Sequence, residues 1–282
     1  MSTQFSPVIA ARPQGNGGSF SAKSLDLQLF GKSASPVVIC DDFRVRGRPF
    51  GPHPHAGFST ITYVLEDSPG ELRSRDSLGN DLVVGPGGIV WTEAGSGMMH
   101  EESSADPGRE LHGLQIFVNL SSKRKFTEPR VLRLDRGGVP QWRSDAGDSV
   151  QVVVGGYDGV LSPLVPAESF TLLDVKLRRK VTFEVGNDHN ALVYVLTGAV
   201  VIHSDGREQN VQAEHAVAFH GGGRVVVFPA SHPAQFLLLS GPEIREPVLM
   251  HGPFIMNDLA QINAAFARFR AGKMGHLAPL GE

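Results

Sequence analysis

Between residues 20 and 250 the apolar runs of this chain are short and end at glycine, proline or small polar clusters. That punctuation limits the fold more than any other feature. "DLVVGPGGIVWTEAGSG" reads as two strands broken at Gly85-Pro86-Gly87-Gly88, and "DSLGND" supplies Gly79 and Asn80 for a hairpin turn. "LHGLQIFVNL" is a buried strand. "FSTITYVLE" alternates Phe58, Ile61, Tyr63 and Leu65 imperfectly with small polar residues, as a barrel strand can. Thirty-three Gly and 19 Pro in 282 residues exceed ordinary usage, and stretches rich in Ala, Glu and Lys are scarce. The fold class is all-β.

The strand pattern pauses once. "SSKRKFTEPRVLRLDRGGVPQWRSDAGDS", at 121–149, is charged and punctuated by Gly and Pro, and reads as a connector. Strands resume with "FTLLDVKL", "VTFEV", "ALVYVLTGAVVIHSDG", "AVAFHGGGRVVVFPA" and "AQFLLLSG". The halves look like weak copies. Tyr63-Val64-Leu65-Glu66 matches Tyr194-Val195-Leu196-Thr197, and "HGLQIFVNL" from His112 matches "HPAQFLLLSG" from His232. Two tandem barrels built by duplication are expected, over 1–135 and 136–282. A helix closes the chain in "MNDLAQINAAFARFRAGKMG". Leu259, Ile262, Phe266 and Phe269 fall on one face, Asp258 and Gln261 form a capping box, and Gly272 stops it.

A net charge of −3 and a pI near 6.4 leave no basic footprint for direct nucleic-acid contact. The single cysteine, Cys40 in "PVVICDD", has no internal partner, so its expected role is buried packing in a reducing, cytoplasmic setting (or a nuclear one in a eukaryote). The first residues carry no secretory pattern, and no run reaches the roughly 18 apolar residues of a membrane span. "HGGG" at 220–223 lacks the G-x-S-x-G elbow of an esterase, and "GPGG" at 85–88 fails the dinucleotide pattern.

"HPH" at 53–55 poses the chemical question. Residues i and i+2 of a strand share a face, so His53 and His55 present two imidazoles to one side. "GSGMMHEESS" repeats the form with His100 and Glu102, Glu101 turning the other way. Two such pairs on separate strands can converge as three nitrogens and one oxygen around a first-row metal. They can equally be unrelated surface groups, and spacing leaves both readings open. His189, His203, His215, His220 and His232 are scattered singly and read as surface or structural residues. His112 opens a barrel strand, which suits structural hydrogen bonding or support of a site from behind.

"HPHAGFSTITYVLE", "RDSLGN", "GPGGIVWTEAGSGMMHEE", "HGLQIFVNL" and the late "HGPFIMND" together resemble the pirin family of the cupin superfamily, in order. The likeness is dense over 37–120 and rests in the second half on "GPFIMN" and the final helix. It implies two tandem cupin barrels of jelly-roll type, with one divalent metal in the first barrel only. Iron is expected, with Mn, Ni, Cu, Zn or Co as alternatives. The implied ligands are His53, His55, His100 and Glu102, with Glu102 also serving as catalytic base. Many cupins place a glutamate four or five residues after H-x-H. Here Ser59 and Thr60 stand there, and Glu66 is too far along, which leaves Glu102 as the sole carboxylate.

The resemblance implies one of two functions. One is a metal-dependent dioxygenase of the quercetin 2,3-dioxygenase type, with a flavonol and O2 as partners. The other is a non-catalytic regulator whose redox-sensitive metal alters contact with a protein partner, a transcription factor or metabolic enzyme. Neither membrane nor nucleic acid is an expected partner.

Overall fold

The computed structural model describes residues 3–15 and 18–280, apart from the side chain of His232. It is built from β-sheet in both halves. The first half pairs a seven-stranded sheet with a four-stranded one. The larger runs Arg130–Leu134, Ile89–Glu93, Phe58–Val64, Leu111–Asn119, Val37–Val45, Phe20–Ser24, Arg12–Gly15. The smaller runs His53–His55, Met98–Ser104, Leu72–Asp76, Asp81–Val84. A ten-stranded sheet forms the second half, with its long strands His189–Ser204 and Gly223–Pro242 side by side. Gly79 turns the Leu72–Asp76/Asp81–Val84 hairpin at φ +96°, as its sequence indicates.

The segment read as a connector contains structure. Arg130–Leu134 pairs with Ile89–Glu93 on the edge of the first barrel, and Gln141–Arg143 pairs with Ser149–Val154 in the second. Charged residues hid these edge strands, because an edge strand exposes one face to water. A 3₁₀ stretch, Leu27–Ala34, was also hidden; it buries Leu27, Phe30 and Ala34 between the halves.

Phe58–Val64 is buried along its whole length, which explains its poor alternation. One face, with Thr62 and Val64, lines the first barrel. The other, with Ile61 and Tyr63, enters a core shared by both halves that also holds Trp91, Ile116, Leu172, Tyr194, Leu237 and Cys40. Two buried tyrosines cross this interface reciprocally. Tyr63 Oη donates to Asp174 Oδ2 at 2.9 Å, and Tyr194 Oη donates to Asp42 Oδ2 at 3.1 Å.

Strand register makes these pairs equivalents. Tyr63 and Asp42 both lie opposite Leu114; Tyr194 and Asp174 both lie opposite Leu237. The matching of Tyr63 with Tyr194 therefore holds in space. Matching His112 with His232 does not: with Leu114 on Leu237, His112 falls on Gln235, three residues further along. Gln235 Nε2 donates to Asp174 Oδ1 at 2.7 Å, much as His112 Nε2 donates to Asp42 Oδ1 at 2.8 Å.

The ends of the chain cross over. Gln4–Phe5 and Ile9–Ala10 pair with His215–His220 of the second half. The final helix, Leu259–Arg270, follows the second barrel in the chain but packs on the first through the hairpin Leu249–His251/Phe254–Met256. Asp258 Oδ1 accepts from Gln261 N at 2.8 Å, while Gln261 Oε1 accepts from Asn257 N at 3.0 Å, one residue before the usual capping-box partner. Gly272, at φ +69°, ends the helix. The buried face is Ile262 and Ala265 with Phe266 half-buried; Leu259 and Phe269 remain 61% and 38% exposed. A small docking patch covers only the middle of the expected stripe.

Removing one hydroxyl from the interface leaves a buried carboxylate short of a donor. Tyr63→Phe and Tyr194→Phe are each expected to lower unfolding free energy by about 1–3 kcal/mol in urea titrations. Burial raises the Asp174 carboxyl to about 6, against the opposing hydrogen bonds of Gln235 and Tyr63. The native state then keeps a proton that the unfolded chain has lost. This contribution is full below about pH 4 and disappears as pH rises to about 6. Asp174→Asn is expected to remove that decline from the stability profile between pH 4 and 6.

Candidate metal centre

His53–His55 and Met98–Ser104 are antiparallel neighbours, with His53 opposite His100 and His55 opposite Met98. This register brings His100 to the His53/His55 pair. One ligand nitrogen from each of His53, His55 and His100 falls in a group spanning at most 4.8 Å, and the ring centroids are 4.5–4.8 Å apart. His55 and His100 are buried and His53 is half-buried. Phe58 and Phe117 pack edge-on against His55, at 5.0 and 5.4 Å.

The hydrogen bonds assign the nitrogens. His53 Nδ1 donates to Gly51 O at 2.9 Å, and His55 Nδ1 faces Pro253 O at 3.5 Å. Those contacts hold the protons on Nδ1 and leave Nε2 with a lone pair. His53 Nε2 and His100 Nε2 are 3.1 Å apart, and buried His100 Nδ1 has no partner among the described residues. Burial, then the charges of neighbouring histidines, pushes the His55 imidazole down to about 3 and His100 well below its ordinary range. The His55 and His100 rings are held neutral, the form that binds a metal.

Glu102 stands outside the three-histidine group but lines the same cavity. Its Oε2 accepts from Thr62 Oγ1 at 2.6 Å. Desolvation raises this carboxyl to about 7, with the Thr62 and Ser74 hydroxyls pulling it back. Neighbouring Glu101 turns away, as its position in the strand dictates, and pairs with Arg75 at 2.8 Å.

The cavity measures about 500 Å³, within the range of small-molecule sites. Phe43, Val45, Phe50, Leu72, Leu111 and Phe117 supply apolar wall, and Asp41, Ser103 and Gln115 are its other polar groups. Gln115 Nε2 donates to Thr60 Oγ1 at 2.7 Å and to Ile61 O at 3.1 Å. Reading the sequence missed Thr62, Ser74 and Gln115. Parity was the available signal for Thr62 and Gln115, which alternate with core residues on strands whose other faces are apolar; Ser74 faces inward on a strand whose other face carries Arg73 and Arg75.

His53 and His100 are already spaced to share a divalent cation, and a small side-chain adjustment would close the three-nitrogen group, which spans up to 4.8 Å where two ligands of one ion lie no more than ~4.2 Å apart. Two nitrogens each ~2.1 Å from one ion, at about 90–109°, are roughly 3.0–3.4 Å apart, and the observed Nε2 separation is 3.1 Å. Three imidazole nitrogens with one carboxylate in the same cavity suit iron and its first-row neighbours, without selecting sharply among them. Among the described residues the second barrel has no such set. By strand order and register, Phe183 opposite Val225 replaces His53 opposite His100, while Val185 and Val227 replace His55 and Glu102. All four are buried.

The other histidines are partnered separately. His112 lies between Asp67 Oδ1 at 2.7 Å and Asp42 Oδ1 at 2.8 Å, a structural bridge near the barrel interface. His189 contacts Asp188, His203 contacts Glu208, His215 contacts Ala213 O and His220 contacts Asn190. The side chain of His232 lies outside the described residues.

Comparison with known proteins follows the same outline. The profile of the family described as Pirin matches residues 13–118, and that of the pirin C-terminal cupin domain matches residues 172–275. A pirin-like protein of Caulobacter vibrioides is 36% identical over 228 residues, covering 79% of this chain and 80% of its own. Pirin of Homo sapiens is 34% identical over 251 residues, covering 86% and 84% respectively. A solved quercetin 2,3-dioxygenase from Acinetobacter baumannii superposes with a TM-score of 0.85 at 26% identity, over 99% of this chain and 100% of its own. Bacterial pirin YhhW from Escherichia coli, solved in complex with nickel(II), shares the fold with a TM-score of 0.64 at 20% identity, covering 86% of this chain and 100% of its own.

Chelator-treated protein is expected to melt at higher temperature when Fe(II), Mn(II) or Ni(II) is added. The gain is about 2.7 kcal/mol at a metal concentration 100-fold above Kd. His100→Ala should abolish the rise. His112→Gln, although less stable than the parent, should retain it.

Proposed function

The chain belongs to the pirin family, and on that premise we propose that it is a metal-dependent dioxygenase of the quercetin 2,3-dioxygenase type, acting on flavonols or related hydroxylated aromatics. One observation carries this reading: three imidazoles converge at a cavity with apolar walls that also receives the Glu102 carboxylate. His53, His55 and His100 would hold the ion through Nε2, and Glu102, from the wall of the same cavity, would supply an oxygen ligand. A bound divalent ion, iron in first place, supplies the Lewis acidity and the redox coupling to O2 that the reaction requires.

The chain's own residues do the rest. Phe43, Phe50 and Phe117 receive a flat aromatic substrate and exclude water. Glu102 accepts the proton of the substrate hydroxyl, and the Thr62 and Ser74 hydroxyls hold its carboxylate in place. Gln115, its amide N–H groups engaged by Thr60 and Ile61, keeps its Oε1 free to accept a second substrate hydroxyl. The product set is the ring-opened ester and carbon monoxide. The chain acts in a reducing, cytoplasmic setting, in keeping with its buried free Cys40.

Metal-loaded protein is expected to consume O2 and release carbon monoxide as quercetin disappears. Glu102→Gln should still bind flavonol, seen by fluorescence quenching, while turnover falls by at least ~100-fold. Quercetin that binds metal-loaded protein under air and is left intact would refute the proposal.

A further inference from the structure

Lys125 is fully buried, yet no part of the reaction uses it. Its ammonium has three protons and three neutral acceptors: Gly57 O at 2.8 Å, Asn119 Oδ1 at 2.5 Å and Ile255 O at 3.1 Å. Each acceptor belongs to a different part of the centre. Gly57 lies two residues beyond His55. Asn119 ends the strand that carries Gln115 and Phe117 into the cavity. Ile255 lies in the hairpin that brings the far end of the chain onto the first barrel.

That hairpin touches a ligand directly. Pro253 O faces His55 Nδ1 at 3.5 Å, and Ile255 N donates to Ala56 O at 3.1 Å. Further along, Met274 O accepts from Met99 N at 3.1 Å, beside His100. The C-terminal segment thus grips both ligand-bearing strands, and Lys125 pins it to the first. Gly57 is essential to the approach: it has φ +85°, and a Cβ there would collide with the Ile255 carbonyl.

We propose that Lys125 is a positioning residue for the metal centre: by tying Ile255 to Gly57 and Asn119, it places Pro253 O so that the ring of His55 keeps its orientation. The proposal rests on the metal-binding reading of the three histidines. Burying an ammonium against carbonyls alone opposes its charge, and burial lowers Lys125 to about 8, with Glu246 pulling it back up. A methionine of similar length would fill the space without this penalty. What it would lack is the three-way tether.

Co(II) is the probe, because its ligand-field bands report ligand geometry and not overall stability. Lys125→Met is expected to bind Co(II) about 10-fold more weakly, with shifted bands. Gly57→Ala perturbs the same junction from the opposite side and should shift the bands in the same sense. Tyr194→Phe, which loosens the barrel interface, should leave them unchanged. In the unmodified chain reciprocity gives a second readout: Co(II) should slow hydrogen exchange at the Ile255 and Met99 amides more than at the Ala11 amide, which bonds the second barrel. The exchange measurement decides the matter should either variant fail to fold. Unshifted bands in both variants, or indifferent exchange at Ile255, would overturn the proposal. Failure of the unmodified chain to bind Co(II) would remove the metal reading itself, and the tether with it.

Discussion

Three imidazoles with centroids less than 5 Å apart cannot all be cationic in a cavity walled by phenylalanine, valine and leucine. Like charges at that separation repel, and burial penalises each charge separately. Burial keeps the His55 and His100 rings neutral. A cation held there would offset the concentration of lone-pair density and would let the Glu102 carboxylate ionise beside it. The surrounding architecture serves this condition. Apolar walls lower the local dielectric, Gly51 O and Pro253 O fix the Nδ1 protons of His53 and His55, and the Thr62 hydroxyl steadies Glu102.

The convergence of the three histidines was legible because strand geometry is local. His53/His55 and His100/Glu102 each share a strand face by parity alone, and the fold places both pairs on adjacent strands. The two-barrel architecture was legible for a similar reason, since short strands and turns repeat along both halves. Long-range contacts were not. Nothing near Pro253 announces that it reaches back nearly two hundred residues to His55, and nothing in "MSTQFSPVIAA" announces pairing with His215–His220. The His112/His232 match failed because histidine identity was taken as the anchor. The tyrosine–aspartate pairs set the true register, and a cross-barrel hydrogen bond leaves no signature within either strand.

The two barrels share a fold and differ inside. Phe183, Val185, Val225 and Val227 convert the second interior into packed hydrocarbon, where the same backbone in the first presents three imidazoles and a carboxylate. The fold is held by features common to both halves, above all the paired strands and the reciprocal tyrosines. The candidate metal centre lies in one. The C-terminal segment then crosses from the apolar barrel to the one with the three-histidine group, so the second half contributes contacts to that centre.

The most direct measurement is anomalous X-ray scattering from crystals of the iron-loaded protein, with data collected on both sides of the iron absorption edge. The account predicts one strong anomalous peak within about 2.0–2.3 Å of Nε2 of His53, His55 and His100, with the Glu102 carboxylate turned toward it. An absent peak, a peak in the second barrel, or a peak whose nearest ligands exclude any of the three histidines would contradict it.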